Sequence, residues 1–359
     1  MIYKDYFDIP GEIVYLNTPK NGLIPRAHGQ WRREWDETFF EAAGDLRNQQ
    51  PDFIQNVKIG FSELFNCPAD LLYLVPNFSF GYNVLLDGLP KGLKYAILED
   101  DYPSVNYAIQ SRGFAYELIE VHKGNLEENI LNVIKNSKAD VLCLSIVQYI
   151  SGLKIDLAFI KQLKKDNPDL IIIGDATQYL GTEAFDFIDS GFDAVAGSGY
   201  KWLMAGFGNG YVMLSEALHS ILYADARQRP KPTEPMLAHK SVIDIYFEPG
   251  HQDTLAHGTL LQAVNFYKEL NINKIKKYLD DLNAYAYQVF EEREWLLPII
   301  KHRSCKSSLI NLQVPQEMYP LLEQKGIKCF PRGSGIRIGL HLYNDKSDVD
   351  RLVAALDKG

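Results

Sequence analysis

The chain has 359 residues, 46 % hydrophobic and 23 % charged, which excludes disordered, collagenous and coiled-coil classes and leaves room for two or three domains of about 150 residues each. Its 37 basic and 46 acidic side chains give a net charge of -9 with no basic stripe, so no nucleic-acid partner is expected, because phosphate binding needs clustered Lys and Arg. The longest apolar runs, Val141–Val147 and Leu170–Ile173, fall far short of the about 18 residues of a bilayer span, and Met1–Pro10 lacks the basic start, apolar stretch and cleavage site of a signal peptide; no membrane is expected and the cytoplasm is the default location.

Apolar runs bounded by turn residues alternate with longer amphipathic stretches, which is an α/β pattern. Leu71–Val75 predicts the first buried strand, and a helix follows from Ser79 to Gly88. Tyr95–Glu99, Tyr116–Val121 and Val141–Val147 predict three more strands. A helix over Leu157–Asp166, with apolar residues at Leu157, Ile160 and Leu163, is ended by Asn167-Pro168. Leu170–Asp175, Ala194–Gly197 and Gly210–Leu214 complete a mixed, mostly parallel sheet of seven strands.

From about Tyr223 to Gly258 a polar, Pro-containing stretch loses periodicity, as functional or linking segments do. Helices over Leu260–Tyr278 and Leu282–Glu292 come next. Strands over Ser308–Val314 and Gly335–Leu340 and a helix over Asp348–Leu356 then predict a smaller C-terminal α+β domain. The expected division is a large domain over 17–255 and a small one over 256–359, with an N-terminal arm, 1–16, packing on the small one. Cys67, Cys143, Cys305 and Cys329 form no CxxC pair, and the eight histidines show no HxxxH or HExxH spacing, so neither disulfides nor a metal site is expected.

Two strand ends carry the chemistry. Gly174-Asp175-Ala176-Thr177-Gln178 and Gly197-Ser198-Gly199-Tyr200-Lys201-Trp202 bring an acid, an amide and a lysine to the carboxyl edge of the sheet, where open α/β sheets bind ligands. Singly, such an Asp is more often a helix cap and such a Lys is usually solvated. Together they suit a pyridoxal phosphate site, in which the lysine amine condenses with the cofactor aldehyde and the carboxylate keeps the pyridine nitrogen protonated as an electron sink.

These segments, with Gly206-Phe207-Gly208-Asn209-Gly210, resemble the signature of class V pyridoxal-phosphate enzymes, the fold-type I group that includes aminotransferases, cysteine desulfurases and kynureninases. The resemblance implies pyridoxal 5'-phosphate as cofactor, Lys201 as the Schiff-base lysine, Asp175 as the pyridinium partner, Gln178 as a donor to the phenolic oxygen and Ser198 as a phosphate ligand. Tyr200 stands where many members have His, as in the kynureninase version, and its hydroxyl is a further phosphate donor. Asn77-Phe78-Ser79 follows a strand and opens a helix, so Phe78 and Ser79 form an anion site. Asp101-Tyr102-Pro103-Ser104 matches the family segment that stacks an aromatic ring on the pyridine face, which implicates Tyr102.

The resemblance also implies that Gln148 approaches the phenolic oxygen and that Gly258-Thr259 reaches the phosphate of the neighbouring subunit, hence a homodimer with shared active sites. Read alone, Thr259 is equally the cap of the following helix. Gly335-Ile336-Arg337-Ile338-Gly339-Leu340-His341-Leu342-Tyr343-Asn344 resembles the C-terminal segment whose arginine, here Arg337, receives the substrate carboxylate, a task suited to a planar, bidentate fork. Asn17, on the arm running to Pro25, is expected beside the substrate. No GxGxxG or GxxxxGK[ST] spacing supports a nucleotide site.

The expected activity is class V transamination of a small α-amino acid. The alternatives are a lyase, kynureninase-like or a cysteine or selenocysteine C-S lyase, and an amino-acid epimerase. A non-catalytic homologue is disfavoured by the joint presence of Lys201, Asp175 and Arg337. A desulfurase needs a mobile thiol before the arginine motif, whereas Cys329 reads as the end of an apolar strand segment.

Overall fold

Four short apolar runs, Leu72–Val75, Val141–Ser145, Ala194–Ser198 and Gly210–Leu214, find cover on both faces and are buried along their whole length, whereas the edge run Ala115–Ile119 is exposed at four of its five residues. The computed structural model describes residues 3–42 and 45–357. After a short strand β1 (Val14–Tyr15) come helices α1 (Arg26–Glu41) and α2 (Leu46–Phe65). There follow β2 (Leu72–Val75), α3 (Phe78–Gly88), β3 (Lys94–Leu98), α4 (Pro103–Gln110), β4 (Ala115–Ile119), α5 (Leu126–Ser137), β5 (Val141–Ser145), α6 (Leu157–Asp166), β6 (Ile171–Asp175), β7 (Ala194–Ser198) and β8 (Gly210–Leu214). The sheet order is β2-β8-β7-β6-β5-β3-β4, with β8 antiparallel to both neighbours and the other pairs parallel.

Successive strand residues point to opposite faces. Leu142 and Leu144 join one core with α2, α5 and α6, while Val141 and Cys143 join a second core with α3 and α4. Local signals set the helix ends: Asn77 caps α3 by accepting from the Phe80 amide, and Asp156 caps α6 by accepting from Ala158. All seven predicted strands are present, with every end within two residues of its expected place.

After α7 (Glu216–Ile221), the segment expected to be irregular holds α8 (Ala224–Arg227), α9 (Val242–Phe247) and the start of α10 (Thr254–Leu270). Only α11 (Ile272–Glu291) follows before α12 (Pro298–Lys301), so the two predicted helices, Leu260–Tyr278 and Leu282–Glu292, are divided in the wrong place. The physical reason is Asn271, whose φ of 65° ends α10 and whose side chain accepts from the Asn273 amide to begin α11.

The C-terminal part contains β9 (Leu309–Leu312), α13 (Tyr319–Gln324), β10 (Ile327–Lys328), β11 (Phe330–Arg332), β12 (Gly335–Gly339) and α14 (Lys346–Leu356). Strands β11, β12 and β9 form an antiparallel sheet. The N-terminal segment packs here: β1 pairs with β10, Asn17 bridges to Gly339, and Lys4 lies 3.1 Å from Asp348. Among the described residues no helix is long and apolar enough to cross a membrane.

Candidate active site

The carboxyl ends of β2, β5, β6 and β7 lie along one edge of the sheet, where register places Ser145 beside Asp175 and Asp175 beside Ala196. A cavity of about 550 Å³ opens there, within the usual range for small-ligand sites. Of the residues singled out in the sequence, Phe78, Ser79, Tyr102, Asp175, Gln178, Ser198, Tyr200 and Lys201 line it.

Lys201 sits three residues beyond β7, in a turn held by hydrogen bonds from the Gly199 amide to the Asn209 carbonyl and from the Ala205 amide to the Gly199 carbonyl. The Asn209 side chain donates to the carbonyls of Ala205, Gly206 and Ala256, which ties this turn to α10. The arm closes the turn from the other side. The Gly22 amide donates to the Tyr200 carbonyl at 2.8 Å, and a Cβ on Gly22 would lie 2.0 Å from the Lys201 carbonyl oxygen, so only glycine permits this approach.

Lys201 is 7 % exposed, with Nζ 5.7 Å from the centroid of Tyr102 and 5.6 Å from that of Tyr200. Burial pulls its ammonium down to about 8, helped by the charges of Arg337 and Arg332 and opposed by Asp175. Burial pushes the Asp175 carboxyl up to about 6, against the Thr177 hydrogen bonds, one from its amide at 2.8 Å, and the charge of Lys201. Among the described residues the Lys201 ammonium makes no ion pair or hydrogen bond, an expensive condition for a buried charge. An amine poised near neutrality and a buried acid facing one cavity have the chemistry of a site for an aldehyde-bearing, protonatable ring.

At the other end of the cavity α3 presents its N-terminus. The Ser198 hydroxyl accepts from the Phe78 amide at 2.9 Å, and Ser79 Oγ lies 2.8 Å from Ser104 Oγ, so hydroxyls and helix amides converge as a phosphate would require. Tyr102 caps the start of α4 and meets Tyr149 edge-on at 5.3 Å. Tyr200 stacks on Phe207 at 4.9 Å, and burial pushes its hydroxyl up to about 12. Gln178 faces the cavity, but its amide already donates to the Pro19 carbonyl and accepts from Trp202 Nε1 at 2.7 Å.

The other expected residues stand elsewhere. Gln148 does not line the cavity: its carboxamide donates to the Asp100 carbonyl and accepts from Ile150 and Ser151, building the turn after β5. Gly258 and Thr259 lie within α10, which begins at Thr254 under the Asp253 cap, so Thr259 is not the cap of this helix. Thr259 donates to the Leu255 carbonyl and accepts from Arg32, and Gly258 lies against Trp31. Neither reaches this chain's own cavity.

Arg337, on β12, is buried and donates to the Tyr149 carbonyl at 2.6 Å, while its Nε has no partner among the described residues. Burial and then Arg332 bring it down to about 10. Asn17 has its Oδ1 buried without a partner among the described residues and does not line the cavity. Sequence reasoning gave no role to Thr177, Tyr149 or Arg332. Thr177 sits inside the Asp175–Gln178 motif and could have been found there, whereas Tyr149 and Arg332 come together only through the β11–β12 hairpin.

Residues 82–352 match the family model described as aminotransferase class-V. An uncharacterized protein of Schizosaccharomyces pombe is 24 % identical over 296 residues, 75 % of this chain and 65 % of that protein, so the match spans less than two thirds of the relative. An uncharacterized aminotransferase of Bacillus subtilis, YcbU, is 22 % identical over 299 residues, 80 % of this chain and 79 % of the relative. Among solved structures, a mutant of C-DES with glycine covalently linked to its PLP cofactor has a similar fold, with a TM-score of 0.84, 16 % identity and 96 % of each chain covered.

Proposed function

The chain belongs to the aminotransferase class-V family, whose cofactor is pyridoxal phosphate, and from that premise we propose that it is an aminotransferase acting on a small α-amino acid. The observation that carries this reading is the facing of Lys201 and Asp175 across one cavity, with the guanidinium of Arg337 acting on the same lysine. The residues fit the cofactor: a buried, unpartnered ammonium, a buried acid opposite it, and hydroxyls gathered at a helix N-terminus.

Bound pyridoxal phosphate supplies an aldehyde for amines and a ring that accepts the electron pair left at the substrate α-carbon. Ser79, Ser198 and the N-terminus of α3 would hold its phosphate, Tyr102 would supply the aromatic face for its ring, and Asp175 would keep a proton on the ring nitrogen. Arg337 takes the substrate carboxylate in its fork. Lys201 Nζ would take the α-proton of the bound amino acid, which its lowered proton affinity allows near neutral pH.

Transamination needs one base that takes the α-proton and returns it, and Lys201 supplies that base. Tyr200 is raised too far to share that work, and burial pushes Cys329 up to about 12, so it is not a thiolate awaiting sulfur. We propose a homodimer as the functional unit, with Gly258 and Thr259 of each chain serving the partner's site, and a division into a cofactor-binding part, 17–255, and a smaller part, 256–359. Single-turnover spectroscopy with a panel of amino acids tests the activity. Conversion of the cofactor to its amine form with release of a keto acid supports it, and release of pyruvate, alanine or sulfide with the cofactor unchanged makes the enzyme a lyase.

A further inference from the structure

The hairpin of β11 and β12 sets Phe330 beside Arg337 and Arg332 beside Gly335. The Arg332 guanidinium lies 6.0 Å from the centroid of Tyr149 and 5.2 Å from that of Phe330, and Lys20 Nζ lies 4.9 Å from the same Phe330 ring. Tyr149 lines the cavity, and its carbonyl accepts from Arg337. Exposed Lys20, from the N-terminal arm, and exposed Arg332, at the hairpin tip, thus flank Phe330 next to the cavity-lining Tyr149, with Arg337 buried behind them; none of the three cations lines the cavity wall itself. No carboxylate pairs with Lys20, Arg332 or Arg337 among the described residues, although the chain carries nine more acids than bases. Arg332 disfavours the charge of Arg337, and both arginines act on Lys201. Such a cluster costs free energy until an anion enters. One α-carboxylate suffices for the fork of Arg337 and leaves the exposed guanidinium of Arg332 uncompensated.

We propose that Arg332 is a specificity residue, flanked by Lys20, that selects an amino acid whose side chain carries a second anionic group. This rests on the reading of the cavity as an amino-acid site. The planar guanidinium held between two aromatic rings presents its edge to that group, while Arg337 keeps the α-carboxylate.

The test uses the holoenzyme in its first half-reaction, followed by cofactor absorbance, with L-aspartate and L-glutamate against their neutral isosteres L-asparagine and L-glutamine, and with L-alanine. The acids are expected to exceed their amides at least about tenfold in kmax/K. Arg332→Met is expected to raise K for the acids about tenfold more than for alanine and the amides, with a change in kmax common to all five, and Arg332→Lys to recover part of the preference. Calorimetry with unreactive succinate and butyrate gives a readout apart from turnover: succinate binds more tightly, and Arg332→Met removes the difference. Equal rates for acids and amides in the parent enzyme overturn the proposal while the amino-acid reading stands. An equal loss for all five amino acids in Arg332→Met also overturns it, because Arg332 then shares the α-carboxylate with Arg337. If no amino acid alters the cofactor spectrum, the reading of the site falls, and the selectivity with it.

Discussion

Asp175 ends β6 and Lys201 lies just past the end of the neighbouring β7, so the two buried charges face one cavity and each favours the ionised form of the other while burial opposes both. For Lys201 burial wins: its folded value, about 8, lies below the 10.5 of a free lysine. A group lowered in this way costs stability while it is charged, fully below about pH 8, and the cost fades as pH rises toward the unfolded value. Lys201→Met should therefore stabilise the cofactor-free chain at pH 7 by about 1 to 3 kcal/mol, and by much less near pH 10. Urea unfolding at the two pH values measures this. A variant less stable than the parent at pH 7 would contradict it.

Removing the acid acts on the lysine with a definite sign. Asp175 is the charge that raises Lys201, so Asp175→Asn should move the pH profile of covalent pyridoxal phosphate capture by the apo chain to lower pH. Turnover should fall by about 100- to 1000-fold, the scale for loss of one preorganised electrostatic group. The capture profile is read from absorbance. A shift to higher pH would mean that Asp175 does not act on this amine.

The fate of Cys329 separates sulfur chemistry from proton transfer. It is 2 % exposed between β10 and β11, and burial raises its thiol. Cys329→Ala should leave kcat/KM for the preferred amino acid within about twofold and cost about 1 to 2 kcal/mol of stability as a small packing defect. Loss of turnover in a folded variant, with release of sulfide from cysteine by the parent enzyme, would restore the desulfurase reading.

What the sequence reveals here depends on whether a feature is local. Asp175, Ser198 and Lys201 stand out because apolar strands followed by polar, glycine-rich turns are written within ten residues, and the sheet then places all three on one edge. Gln148 could not be assigned that way, since its amide is claimed by Asp100, almost fifty residues earlier, and by the turn it builds. The start of α10 was hidden because Ala256, His257, Gly258 and Thr259 are buried by α1 and α2, so no exposed face gives them a helical period. Gly22 has meaning only once the arm is laid against the carbonyl of Lys201. Arg332 and Tyr149 become neighbours only when the β11–β12 hairpin docks on the turn after β5, where Arg337 bonds the Tyr149 carbonyl.

Thr259 offers the sharpest test of a shared site, because in its own chain it is fully buried and bonded to Leu255 and Arg32. If each Thr259 serves the partner's phosphate, Thr259→Val weakens cofactor binding and Lys201→Ala abolishes covalent capture, yet a mixed dimer rebuilds one intact site from Lys201 of the first variant and Thr259 of the second. Random exchange of equal amounts should give about a quarter of all sites parental affinity. Cofactor titration after refolding the variants together, with size-exclusion light scattering to establish the dimer, measures that fraction. Exposed Phe39, Phe40 and Phe207, 58 %, 80 % and 70 % accessible in the single chain, supply apolar area for such an interface. A mixture that forms dimers but shows only the weak class would mean that the hydroxyl serves its own helix, and that each cavity is completed within one chain.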